Sequence, residues 1–199
     1  MTRFLPALLL AAACGSTPPA EDAHAPAKAE PAEKAEPAKK AEPAEKAGAR
    51  GDDADRASKN GKAKLKVGDA KVMVTYGRPK VRGRTVWGEL VPYGKVWRTG
   101  ADEATVISFS GDVKLGDTAV KAGSYALFTI PEKDKWTIVL NSVADQWGSY
   151  DYDEGKDVAR AVVTPEKGEM TEDLTIAPDG DMLYIQWAQA KVPLPITAP

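Results

Sequence analysis

Residues 104–140 read ATVISFSGDVKLGDTAVKAGSYALFTIPEKDKWTIVL, and the fold is decided here. Ala104 to Phe109 is a β-branched, apolar run of strand length. Val113-Lys114-Leu115 and Thr118-Ala119-Val120 flank Gly116-Asp117, the pattern of a hairpin closed by a tight turn. Lys121-Ala122-Gly123 turns the chain into a strand from Ser124 to Ile130, which Pro131 stops. A charged turn follows, then a strand from Trp136 to Leu140. Working outward, Val72-Met73-Val74-Thr75-Tyr76 is a strand ended by Gly77-Arg78-Pro79. The segments 158–164, 173–177, 182–188 and 191–196 complete the set. Strands recur about every ten residues, and no long amphipathic helix is evident. The expected class is all-β: a single β-sandwich or jelly-roll-like domain over residues 63–199. A closed barrel is the alternative that strand spacing does not separate from it.

Composition divides the chain at residue 62. Residues 1–62 carry ten basic and ten acidic side chains, whereas 13 of the 14 aromatics lie after them. Only the back part can build a core, and its length suits one domain. The whole chain has 27 Lys+Arg against 29 Asp+Glu. That balance excludes the concentrated basic surface of a nucleic-acid binder. The only His is His24 and the only Cys is Cys14, so the domain has neither. Ser-His-Asp and Cys-His nucleophilic catalysis are thereby removed from it, as are the usual zinc sites. No cofactor is expected.

The amino terminus reads as an export address. Arg3 precedes an apolar run from Phe4 to Ala13, too short to span a bilayer core of about 30 Å and suited to a signal-peptide h-region. Ala11-Ala12-Ala13 lead directly to Cys14. This resembles a bacterial lipoprotein signal over residues 1–14, with Ala11 where Leu is usual. An ordinary signal peptide is the alternative. A multiply acylated Cys14 anchors stably, at about 0.8 kcal/mol per buried methylene. Gly15-Ser16 after the cysteine, with no Asp, points by resemblance to the outer membrane of the cell envelope.

Residues 15–62 read as a disordered tether. Ala29-Glu30-Pro31-Ala32-Glu33-Lys34 is followed by Ala35-Glu36-Pro37-Ala38-Lys39-Lys40 and Ala41-Glu42-Pro43-Ala44-Glu45-Lys46. A proline every sixth residue stops any long helix, and little apolar surface offsets the ordering entropy. A coil with polyproline-like stretches is expected, spanning roughly 40 Å.

Residues 76–100 read YGRPKVRGRTVWGELVPYGKVWRTG, an irregular stretch of the kind that carries binding residues. Tyr76-Gly77-Arg78-Pro79, Gly83-Arg84 and Gly88-Glu89-Leu90-Val91-Pro92-Tyr93-Gly94-Lys95-Val96-Trp97-Arg98-Thr99-Gly100-Ala101-Asp102-Glu103-Ala104-Thr105 resemble the signature of the bacterial domain of unknown function numbered 2911. The runs 122–131, 136–141 and 147–150, with Tyr152-Asp153 and Asp157-Val158-Ala159-Arg160, agree in order. The resemblance covers roughly residues 64–196. It implies an exported or lipid-anchored β-rich protein and no established activity.

Four groups of residues could carry chemistry. The first is aromatic and cationic: Trp87, Tyr93, Trp97, Arg98, Trp147 and Tyr150. Exposed rings stack on sugar faces, and an arginine fork grips a carboxylate or phosphate; the same rings could equally be core. Trp97 and Arg98 alternate, so on a strand one faces in and the other out. The second is a carboxylate pair for glycoside hydrolysis drawn from Glu89, Asp102, Glu103 and Asp157. The third is Asp151-Tyr152-Asp153-Glu154-Gly155-Lys156-Asp157, which partly resembles a calcium loop. Its twelfth position is Val162 and no helices flank it, so it reads first as an acidic turn and no metal site is expected. The fourth is the basic loop from Arg78 to Arg84, a solvated loop or an anion site.

The expected function is a non-catalytic binding or interaction module for an envelope glycan or small anionic ligand. Its candidate residues are Arg78, Arg84, Trp97, Arg98, Glu103, Trp147 and Tyr150. A carboxylate-dependent glycan hydrolase and a purely structural envelope protein are the alternatives.

Overall fold

The computed structural model describes residues 50–199; Cys14, His24 and the proline-punctuated repeat lie outside them. The strands are β1 (Lys59–Val67), β2 (Ala70–Arg78), β3 (Thr105–Phe109), β4 (Val113–Leu115), β5 (Thr118–Val120), β6 (Gly123–Pro131), β7 (Trp136–Asn141), β8 (Asp157–Val163), β9 (Glu166–Asp179), β10 (Met182–Leu194) and β11 (Ile196–Thr197). One short 3-10 turn, Glu154–Lys156, precedes β8. Six strands form an antiparallel sheet in the order β1-β2-β3-β6-β7-β8. A β9-β10 hairpin and a small β11-β4-β5 sheet make up the rest. The large sheet does not close, since β1 and β8 are its edges, so the fold is a sandwich and not a barrel.

Period-two burial builds the core. Val72, Val74 and Tyr76 of β2, Ile107 and Phe109 of β3, Tyr125 and Leu127 of β6 and Trp136, Ile138 and Leu140 of β7 point to one face. They meet Leu174 and Ile176 of β9, Leu183, Ile185 and Trp187 of β10 and Val113 and Leu115 of β4. Tyr76 bonds the two layers: its hydroxyl donates to the Ile176 carbonyl (3.2 Å) and accepts from the Ile176 N–H (2.8 Å). Its ring lies over Gly61, where a Cβ would come within 2.5 Å of it. Four indoles, Trp87, Trp97, Trp136 and Trp187, interlock at one end of the core. Trp97 and Trp187 stack at 5.7 Å, and Trp87 meets Trp136 edge-on at 4.7 Å.

The opposite face of the large sheet is also covered. Ala104, Ala126, Phe128 and Val139 form a small second core against Val96, Ile130 and Tyr152. The chain that covers this face carries the residues discussed below.

Two elements differ from the sequence expectation. The domain takes in residues before 63: β1 starts at Lys59, and Arg50 and Arg56 pair with Glu103. In β1 the exposed Lys62, Lys64 and Lys66 alternate with inward Ala63, Leu65 and Val67. Charge on one side and modest apolar residues on the other suit an edge strand but weaken its sequence signal. The expected strands 182–188 and 191–196 are largely one strand, β10, bent at Ala188, which has φ +50 and lies at a register shift.

Candidate functional site

The site grows from the segment that continues the sheet beside β6. Trp97 exchanges backbone hydrogen bonds with Thr129 (2.8 and 2.9 Å). Strand alternation then sends the Trp97 ring into the indole cluster and turns Arg98 to the other face. Thr99 follows at φ +55, a left-handed conformation unusual for a β-branched residue. Such a conformation costs about 1–3 kcal/mol and persists where neighbours over-determine it. Here the neighbours do so. Thr99 is fully buried; its hydroxyl lies 3.2 Å from Thr129 Oγ1 and its carbonyl accepts from the Thr105 hydroxyl at 2.8 Å. The Thr105 N–H donates to the Arg98 carbonyl (3.1 Å) and closes the loop. Asp102 is also left-handed, at φ +62.

A second segment lies alongside. The Ala104 N–H donates to the Gln146 carbonyl and the Gly148 N–H to the Asp102 carbonyl, and Glu103 and Trp147 form a β-bridge. Trp147 is 58 % exposed and Tyr150 85 %. Exposed rings therefore stand on the segment that bridges Glu103.

The carboxylate of Glu103 is clamped by two arginines from the segment before β1. Arg56 donates from both terminal nitrogens, at 2.5 and 2.8 Å, one to each carboxylate oxygen. Arg50 adds a pair at 2.8 Å. Arg50 is itself buried and also donates to the carbonyls of Ala101 (2.5 Å) and Glu103 (3.1 Å) and to Asn60 Oδ1 (2.9 Å). Gly77 makes room for it: a Cβ there would come within 2.7 Å of the Arg50 guanidinium and collide with the Ala101 carbonyl. The Arg56 hydrogen bonds above all, with the Arg50 charge helping and partial burial opposing, pull the Glu103 carboxyl down from 4.5 to about 2. It is ionised at any ordinary pH and holds no proton to give.

Arg98 is different. Its side chain makes no ion pair or hydrogen bond among the described residues, and its Nε is buried without a partner. Its charge nonetheless reaches Arg50. That guanidinium is held below its usual range first by burial, against the pull of Glu103, and further by the charges of Arg56 and Arg98. Asp102 and Asp53 also attract the Arg56 charge, so three guanidinium groups lie among three carboxylates, and Arg98 is the one that pairs with none of them. Gln146 Oε1 is likewise buried without a partner.

Of the sequence candidates, Glu103 and Trp147 meet through a β-bridge, Arg98 acts on Arg50, the partner of Glu103, and Tyr150 lies three residues beyond Trp147. The structure does not bring Trp97, Arg78 or Arg84 to them. Trp97 is a core side chain, 7 % exposed. Arg78 donates to the Leu174 carbonyl (3.2 Å), joining β2 to β9. Arg84 caps its own loop through the carbonyls of Lys80 (2.6 Å) and Val81 (3.0 Å). Arg50 and Arg56 are what sequence reasoning missed. The signal was the end of the repeat at Ala47-Gly48 and the Asp52-Asp53 pair, which makes side-chain-to-backbone turns: Asp52 accepts from the Ala54 N–H and Asp53 from the Asn60 N–H.

Three acids of the turn, Asp153, Glu154 and Asp157, are engaged by protein donors. Asp157 accepts from Asn141 (2.8 Å), the Tyr152 hydroxyl (2.6 Å) and Arg160 (2.6 Å). Burial first, then the Asp157 carboxylate, pushes the Tyr152 phenol up to about 12. Asp153 caps the Gly155 N–H, and Glu154 pairs with Arg160. Among the described residues no three His, Cys, Asp or Glu side chains converge as metal ligands, and no helix is long and apolar enough to cross a membrane.

A family model described as a protein of unknown function (DUF2911) matches residues 58–196. No curated protein and no solved structure matches the chain.

Proposed function

The chain belongs to the DUF2911 family, and from that premise we propose that its domain is a non-catalytic binding module for an acidic group, the carboxylate or phosphate of an envelope glycan or of another small anionic ligand. The observation that carries this is Arg98: a half-buried guanidinium without a counter-ion, on a strained loop. Burying a cation without a partner is unfavourable, and an incoming anion removes that penalty. Trp147 and Tyr150 supply apolar faces for the rest of the ligand. Arg50 and Arg56 are positioning residues, which hold the Arg98–Glu103 loop in place through Glu103.

The hydrolase alternative needs one carboxyl group that keeps a proton and a second that does not. Glu103 fails the first role because both arginines hold it ionised, and Asp157 is occupied by three protein donors. In the same reading, the leader ending at Cys14 is cleaved, the cysteine is lipidated, and the domain is held at the outer membrane. Cys14→Ser is the variant that tests the anchor.

Calorimetric titration with glucuronate and glucose 1-phosphate, with glucose as the neutral control, tests the site. At least one acid should bind and glucose should not. Arg98→Ala should weaken binding about 10- to 100-fold, the worth of one charge-assisted contact, with the melting temperature unchanged. Equal binding of glucose, or full affinity in Arg98→Ala, contradicts the reading. Turnover of a glycan that Glu103→Gln abolishes points to the hydrolase instead.

A further inference from the structure

The face of the large sheet that bears the small second core carries another feature at its β1–β2 end. Lys62, Lys64 and Lys66 are exposed and alternate along β1, and Lys71 of β2 is exposed beside them. Register fixes their side of the sheet. Lys64 lies opposite Met73, Met73 opposite Ser108 and Ser108 opposite Ser124. Ser124 alternates onto one face with Ala126 and Phe128 of the second core. The lysines therefore stand on that face. Alternate residues of a strand are about 6.7 Å apart, so the three lysines of β1 form a row of about 13 Å.

The row runs up to the Arg98 group. Asn60, two residues before Lys62, lies opposite Gly77 on the same face. Arg50 donates to Asn60 Oδ1 (2.9 Å), and a Cβ on Gly77 would come within 2.7 Å of its guanidinium. Arg50 also pairs with Glu103 (2.8 Å), and the charge of Arg98 acts on it. One face thus carries the Arg50–Glu103 clamp, then Lys62, then Lys64, then the opposed pair Lys66 and Lys71. None of these four lysines makes an ion pair or a side-chain hydrogen bond among the described residues, whereas Lys80, Lys121 and Lys191 each hold an aspartate. Charge on β1 protects a sheet edge, but Lys71 lies on the second strand, which is paired on both sides. Like charges directly opposite destabilise a sheet, and Lys66 faces Lys71. The chain has more acids than bases, so composition does not impose such a stripe.

We propose that the stripe binds the continuation of a glycan whose acidic group sits at Arg98, which makes the ligand class a linear polysaccharide with an acid on successive sugars. The inference rests on the reading of Arg98 as an anion site and extends it from one sugar to a chain. Charges in a row match a linear partner better than a bilayer surface. Each lysine ends in a point charge on a flexible four-carbon stem, so it follows carboxylates without demanding a fixed register. Exposed contacts of this kind contribute little singly, so affinity should build with the length of the sugar chain and be screened by salt.

The test is calorimetric titration of the full-length chain with glucuronate and with its linear hexamer, and with a linear glucose hexamer as the neutral control. The glucuronate hexamer should bind at least about tenfold more tightly than the monomer, and the gain should shrink as salt rises. Changing Lys62, Lys64, Lys66 and Lys71 together to Gln should remove the gain and leave monomer binding unchanged. Changing the same four to Arg should keep it. No gain with length in a protein that still binds the monomer through Arg98 overturns this inference and leaves the Arg98 reading intact. A gain that survives the Gln changes also overturns it, as does equal binding of the glucose hexamer. Binding to vesicles of phosphatidylglycerol and phosphatidylcholine that the Gln changes abolish, with no gain for the glucuronate hexamer, assigns the stripe to a bilayer and likewise overturns it. Full affinity for both acidic sugars in Arg98→Ala overturns the Arg98 reading and this inference with it.

Discussion

Trp187→Ala is expected to lower the melting temperature by about 6–20 °C. Trp187 is 1 % exposed and stacks on Trp97 at 5.7 Å while Trp87 stands edge-on to it. Its indole N–H also donates to the Glu172 carbonyl at 3.3 Å. Truncating a buried tryptophan costs about 3–5 kcal/mol from lost transfer energy and the cavity left behind. In a domain of this size each kcal/mol moves the midpoint by about 2–4 °C. The loss cannot be repaired locally, because two other rigid indoles, Trp87 and Trp97, frame the hole. Trp147→Ala is the control. That ring is mostly exposed, and its removal should change stability by no more than about 0.5 kcal/mol. Thermal unfolding followed by circular dichroism reads both variants; equal midpoints for the two would mean that the indole cluster does not organise the core.

The second large effect concerns the clamp. Glu103→Gln should destabilise the domain by about 2–4 kcal/mol, because Arg50, whose side chain is 4 % exposed, loses its counter-ion in a buried setting. Burial rather than charge count sets the size: exposed pairs such as Lys121–Asp112 contribute little. The pH dependence has a definite sign. The Glu103 carboxyl is lower in the folded state, near 2, than its ordinary 4.5. Its contribution is therefore complete above about pH 4.5 and is lost as the pH falls toward 2. In Glu103→Gln that part of the acid sensitivity should vanish. Urea unfolding between pH 2 and 7 measures it, and an unchanged acid slope in the variant would remove the clamp from the account.

Most of the sandwich was legible in period-two patterning. The runs at 72–76, 104–109, 113–120, 124–130 and 136–140 lie on β2 to β7, since each alternates enough apolar bulk to mark an inward face. Lys59–Val67 escaped because its inward set is small and its outward set is lysine, so it merges with the charged text before it. The candidate site was half legible. The alternation of Trp97 and Arg98 separates a core ring from a solvent-facing cation, but the sequence does not say which of the cations nearby find partners. Arg84 ends on a carbonyl of its own loop, whereas Arg78 ends on the Leu174 carbonyl, brought to it by the return of β9, 96 residues away. Arg50 and Arg56 find Glu103 across some fifty residues. Such pairings depend on the folded path, and residue types within a loop do not encode them locally.

The charge inventory explains why Arg98 differs from its neighbours. Arg50 and Arg56 take both oxygens of Glu103, and Asp102 lies 3.5 Å from Arg56. Arg98 pairs with neither, while the left-handed Thr99 fixes the backbone next to it. Strain of about 1–3 kcal/mol at Thr99 therefore lies next to the guanidinium that has no carboxylate partner among the described residues.

The most direct measurement is the nitrogen-15 NMR spectrum of the arginine Nε–H groups during titration with glucuronate, with Arg98 assigned by the signal lost in Arg98→Lys. The account expects a saturable shift of the Arg98 signal with glucuronate and none with glucose, while Arg78 and Arg84 stay in place. An Arg98 signal that does not move, or one that moves no more than those two, would contradict it.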